Sequence, residues 1–253
     1  MLEKTSNPAF SDRVVNNLDF TYGNTMTIKG TVNKTLTLLA IILVAATLTW
    51  KMAFAGNAMV TPIMMGGLIV GTIFSFITIF KPEKAKVTGI IYAICEGLVL
   101  GAISAFYEMS MVDPETGAGS GIVFNAIMLT IGVFFVMLYL YKSRIIQPTE
   151  KFTMILFAAT GAIALVYLID IIMGFFGSSV GFLHSSGLLG IGISLVIVVV
   201  AALNFILDFK NVENGVERGA PEYMEWYCAF GLMMTLVWLY LEILRLLSKL
   251  NRD

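Results

Sequence analysis

Charge is scarce in this chain. Only 13% of its 253 residues are Asp, Glu, Lys or Arg, about half the share that a water-soluble domain carries. Neither sign dominates: 16 basic residues stand against 17 acidic ones and the pI is about 5.9. That balance leaves no basic face for a phosphate backbone, so no nucleic-acid partner is expected. Histidine is nearly absent, with His184 the only one. A His-rich zinc site of the kind found in membrane hydrolases cannot be assembled from it, and a serine nucleophile lacks a plausible base. The two cysteines, Cys95 and Cys228, lie in separate apolar runs, which suits small core residues and excludes a disulfide framework or a zinc knuckle. No phosphate-binding glycine loop or dinucleotide fingerprint occurs. The expectation is a non-enzymatic protein without a cofactor.

Apolar sequence is what the chain has in excess, at 58% of residues with a mean hydropathy of +0.86. A lipid-facing surface explains both that excess and the missing charge. Span-length apolar runs, bounded by charges or turn residues, fall at Leu36 to Phe54, Met59 to Phe80, Val87 to Tyr107, Ile122 to Tyr141, Phe152 to Phe176, Gly187 to Leu207 and Trp226 to Leu247. Each meets the roughly 20 residues that a helix needs to cross the hydrocarbon. The stretch from Ile171 to Leu207 is too long for one helix, and Gly174, Gly177, Ser178, Ser179 and Gly181 supply its break. The fold expected is an all-α integral membrane protein with seven transmembrane helices. Residues 1–30 form a polar N-terminal segment without the apolar core of a cleaved signal peptide, and 31–253 form one membrane domain.

Lys4, Arg13, Lys29, Lys34, Lys81, Lys84, Lys86, Lys142, Arg144, Lys151, Lys210 and Arg218 gather on one side of these spans, against Lys51, Arg245, Lys249 and Arg252 on the other. The positive-inside rule then places the N-terminus in the cytoplasm and, after an odd number of crossings, the C-terminus outside. A re-entrant last segment would return it inside. Gly67 and Gly71, and Gly97 and Gly101, form small-xxx-small pairs that let helix backbones approach. Packing inside one bundle is preferred to dimerisation, so a monomer is expected. Trp50, Tyr107, Tyr141, Tyr223, Trp226 and Tyr227 lie near span ends, as in an interfacial aromatic belt.

Ionisable groups inside the bilayer are costly and are functional candidates by default. Glu96 falls mid-depth in the third span, Asp170 and Glu242 in the outer parts of the fifth and seventh, and Asp208 at the cytoplasmic edge of the sixth. Such carboxylates suit a cation or proton path, with calcium possible at Asp208 and Glu96. Glu242 also has Arg245 three residues on, so pairing with it is the simpler reading. Aspartyl intramembrane proteolysis is disfavoured, since Asp170 and Asp208 fall on opposite sides. Glu213, Glu217, Glu222 and Glu225, read as a loop, are either a cation-collecting mouth or a solvated acidic stretch.

The end of the chain carries a more specific pattern. LNFILDFKNVENG at the close of span six, and AFGLMMTLVWLYLEILRLL after it, resemble the Bax-inhibitor-motif family. NPAF (Asn7 to Phe10) and GTVNKT (Gly30 to Thr35) are similar to its bacterial branch. The resemblance implies six helices around a central seventh, in a bacterial cytoplasmic membrane. It implies a pH-gated calcium leak, or alternatively a non-conducting regulator that binds a membrane protein such as a quality-control protease. It further implies a gate in which an aspartate ending span six meets a second aspartate midway along span seven. Asp208 matches the first. A gapless match on Arg245 puts Thr235 at the second position, whereas matching LYLE (Leu239 to Glu242) puts Glu242 there. Glu96, in CEGLVLG, is similar to an acidic motif of the third span in bacterial members.

Overall fold

The computed structural model describes residues 24–112, 119–178 and 180–251. Seven of its helices are long and apolar enough to cross a membrane: α1 (Ile28–Phe54), α2 (Val60–Phe80), α3 (Ala85–Ser110), α4 (Ile122–Lys142), α5 (Glu150–Phe175), α6 (Leu188–Glu217) and α7 (Tyr223–Leu250). Their starts follow local chemistry. Thr27 caps α1 by accepting from Gly30 N at 2.9 Å, and Thr149 caps α5 by accepting from Phe152 N at 3.2 Å. The break between α5 and α6 forms where the glycines predict it. Gly177 adopts φ +73°, and the backbone N–H of Val180 donates to Asp170 Oδ1 at 2.8 Å. Ser179 and the NPAF stretch lie outside the described residues.

The helices outrun their apolar runs. α1 begins at Ile28, so the boundary drawn at residue 30 falls inside its first turn. α6 continues past Leu207 to Glu217, and this is the larger correction. Asp208 does not end its helix; it sits well inside α6, with 0% of its surface exposed. The polar extension holds because Glu213 receives hydrogen bonds from Tyr141 and from Arg144, the latter at 2.8 Å. Glu213 and Glu217 are therefore helical, and Glu213 is engaged with α4 and the loop after it. Tyr141 and Tyr227 likewise leave the predicted aromatic belt, since both are buried.

α7 is the centre of the bundle, packed against α1, α3, α4 and α6. Its apolar window is 67% buried, against 6% for α5 at the periphery. Tyr227, Phe230, Met233, Leu239 and Leu244 are enclosed completely, a demand that only a helix surrounded by others makes. Both glycine pairs serve packing within the chain. Gly97 and Gly101 bring α3 against the α1 backbone at Ile42 and Ala46, where a Cβ at Gly101 would collide with the Ala46 carbonyl oxygen. Gly67 and Gly71 seat α2 on α3 at Cys95.

The chain just before α1 is tied to the turn between α6 and α7. Met26 N donates to Ala220 O at 2.8 Å and Glu222 N to Asn24 O at 2.9 Å, forming an antiparallel bridge between Thr25 and Pro221. Gly219, at φ +65°, makes the turn that presents those groups. Beside it the buried Glu225 accepts from Thr27 N at 2.7 Å, from Thr27 Oγ1 at 3.0 Å and from the Lys34 ammonium. The GTVNKT stretch thus has a structural reason. Gly30 leaves room for the Glu225 carboxylate, and Lys34 neutralises it.

Candidate functional site

On α6, Ala201, Asn204, Phe205, Asp208 and Val212 recur at helical spacing and are all buried. This face meets α7 at Thr235. The Thr235 hydroxyl donates to Asp208 Oδ2 at 2.6 Å, with a longer 3.3 Å contact to its own Gly231 carbonyl. Phe205 and Phe209 flank Asp208 on α6, and Phe134 of α4 stands edge-on to both rings at 5.3 and 5.7 Å. The Asp208 carboxylate is thus held against α7 by a hydroxyl donor. Such a buried hydrogen bond to a charged group contributes about 1.5–3 kcal/mol.

The other candidates go to different places. Glu242, 2% exposed, accepts from the Tyr167 hydroxyl of α5 at 2.8 and 2.9 Å, from Trp238 Nε1 at 3.2 Å and from Arg245 Nη1 at 3.1 Å. Arg245 also donates to Tyr167 and lies over its ring. Glu242 is thus the partner of Arg245, and the geometry decides between the two matches: Thr235, not Glu242, faces Asp208. Asp170 closes the α5 turn through Val180. Glu96 is half-buried on α3, where its electrostatic partner is Tyr92, one turn earlier on the same face. Tyr92 packs edge-on against Phe230 of α7 at 5.2 Å. Among the described residues no three His, Cys, Asp or Glu side chains converge on a metal site. A resident calcium takes roughly 6–8 oxygen ligands, and among the described residues neither Asp208 nor Glu96 belongs to a group of three such side chains.

Three polar residues escaped the sequence reading. Asn204, one turn before Asp208, donates to Thr160 Oγ1 of α5 at 3.0 Å. Asn211, one turn after it, has a buried side-chain nitrogen without a partner. Their spacing from Asp208 was a usable signal, since i±3 and i±4 positions share its face. Lys249, counted in the sequence only among the outer-side charges, is 6% exposed and donates to Gly190 O at 3.0 Å and Ser194 Oγ at 2.8 Å of α6. Nothing in its local sequence separates it from a solvated tail lysine.

A comparison with curated proteins finds no match. A family model described as Bax inhibitor 1 like matches residues 7–252, which covers the α6–α7 hairpin and every helix packed around it. The chain therefore belongs to the Bax inhibitor 1 like family of membrane proteins.

Proposed function

We propose that this protein is a gated calcium leak of a bacterial cytoplasmic membrane, with the Asp208–Thr235 contact as its closed gate and the N-terminus in the cytoplasm. The observation that carries this reading is the carboxylate of Asp208, enclosed against the central helix. An intramembrane carboxylate facing the bundle interior is where a cation pathway runs. Parting α6 from α7 here would hydrate Asp208 and give a divalent ion its first protein ligand. Glu96, on α3 which packs against the central helix α7, would offer a second carboxylate along the path, and the orphan amide of Asn211 extends the polar face of α6 beyond Asp208. The reading involves no enzymatic step and no cofactor.

The threonine changes how pH acts. Two facing carboxylates are held together by a shared proton, whereas a hydroxyl donates to an ionised carboxylate and accepts from a protonated one. The Asp208–Thr235 contact therefore survives in both protonation states. Protons then act on the charge that the cation meets, not on the closing contact itself.

Calcium flux into proteoliposomes tests this, across roughly pH 6 to 8 where a desolvated carboxylate titrates. Wild type is expected to conduct in a pH-dependent way, and Asp208→Asn to shift flux about tenfold, equivalent to about 1.4 kcal/mol. Thr235→Asp is expected to make the pH dependence steeper, because it installs a proton-sharing pair. Absence of flux at every pH overturns the leak. The chain's own threonine at 235, where the family resemblance implies an aspartate, favours a second reading, a non-conducting regulator that binds a membrane protein such as a protease. That reading predicts a stoichiometric partner on mild purification together with no flux.

A further inference from the structure

α1 and α4 leave a groove between them, open to the side of the bundle. Its volume is about 430 Å³, within the roughly 300–1,000 Å³ of small-molecule sites. Leu43, Thr47 and Trp50 of α1 form one wall, Ile127 and Ile131 of α4 the other, and Tyr240 of α7 part of the floor. Two of the three residues that α3 contributes to the floor, Gly101 and Ser104, are small and leave room for the recess. Gly101 holds α3 close to α1, and Ser104 hydrogen-bonds Tyr240 at 2.6 Å, so the tyrosine hydroxyl lies satisfied on the floor.

The groove's surroundings state what fills it. Every lining residue belongs to a membrane-spanning helix, and the neighbouring outward positions Leu36, Val44, Leu48, Phe124, Met128 and Leu129 are exposed and apolar. Hydrocarbon is the solvent here. A cation follows the groove's α1 wall in the chain. Lys51 is exposed and sits one helical turn beyond Thr47 on the same face of α1, beside Trp50. It has no ion-pair partner among the described residues, and a lysine so near the end of a span extends its ammonium to the interface, where lipid phosphates lie. An apolar slot whose α1 wall leads to a cation matches a glycerophospholipid, with the chain in the slot and the phosphate at the ammonium.

We propose that the groove between α1 and α4 is a specific phospholipid site, with an acyl chain lodged against α7 at Tyr240 and the headgroup phosphate bound by Lys51. Leu236 and Val237, also on its floor, follow Thr235 directly in α7. The lipid thereby supports the face of the central helix turned away from Asp208.

Native mass spectrometry of the full chain, delipidated in mild detergent and titrated with phosphatidylglycerol, tests this. Wild type is expected to bind one lipid at concentrations where Thr47→Trp, which fills the exposed rim, binds none. Lys51→Gln is expected to bind about tenfold more weakly. Ile131→Trp fills the opposite rim and repeats the Thr47 result by an independent route, and an unchanged thermal unfolding midpoint without lipid shows that both variants are folded. Equal lipid retention by wild type and both tryptophan variants overturns the site. Full retention by Lys51→Gln overturns the phosphate contact and with it the proposal of a specific phospholipid.

Discussion

At Asp208 and Glu225 the partner decides what a buried carboxylate does. Glu225 is neutralised by Lys34 and two donors from Thr27, so it serves as a joint. Asp208 instead accepts from the Thr235 hydroxyl, a neutral donor on the central helix. Removing that donor by Thr235→Val is expected to destabilise the protein by about 1.5–3 kcal/mol, and Thr235→Ser to restore most of it. Thermal unfolding in detergent reads both, and a Thr235→Val protein as stable as wild type would show that the contact contributes nothing. Asp208 itself was legible in the sequence as an acidic residue after an apolar run. Its burial was not, because a hydropathy window ends at the first charges, whereas the helix ends only where its backbone finds no further support.

Between elements, the strap at residues 24–27 joins the start of α1 to the α6–α7 turn, and ion pairing reinforces it. Breaking a buried pair strands a charge, so Lys34→Ala is expected to cost about 3 kcal/mol, the low end of that range because Lys34 keeps some exposure. A double-mutant cycle with Glu225→Gln should recover much of this, since the second change removes the stranded charge; strict additivity would mean that the two residues do not interact. The bridge is checked separately by Thr25→Cys with Pro221→Cys, in a chain whose Cys95 and Cys228 are replaced by alanine. Facing residues of such a non-hydrogen-bonded antiparallel pair lie about 4.5 Å apart at Cα, within the roughly 4.4–6.8 Å that a disulfide spans. Oxidation should cross-link them rapidly, and locking the strap should lower any calcium flux in a way that reductant reverses. α5 is held differently: it lies at the edge, with Tyr167 reaching Glu242 of α7 and Thr160 reaching Asn204 of α6. Its ends could be read from hydropathy, but those polar tethers could not, because each joins residues remote in sequence.

For the molecule as a whole, packing without water depends on close backbone approach, since lipid tails are as apolar as the side chains they would displace. α1 and α3 meet through Gly97 and Gly101. Gly101→Val is therefore expected to destabilise the bundle by more than about 3 kcal/mol, as overpacking against backbone that cannot yield. Folded, monodisperse yield after solubilisation measures it, and a normal yield would show that α1 can retreat. The small-xxx-small spacing announced a close contact, although the partner helix was not written in it.

What the sequence determined by itself is the set of spans, their approximate ends, the α5–α6 break and the family. These follow from local rules: hydrocarbon thickness dictates the length of each apolar run, and glycine placement dictates where a helix can stop. The tertiary structure alone decided that Thr235 rather than Glu242 faces Asp208, that Lys249 is buried on α6, and that α1 and α4 part to leave a groove. Each of these depends on the rotation of one helix about its axis relative to another. That angle is set by packing against every neighbour at once, and a single helix carries no record of it.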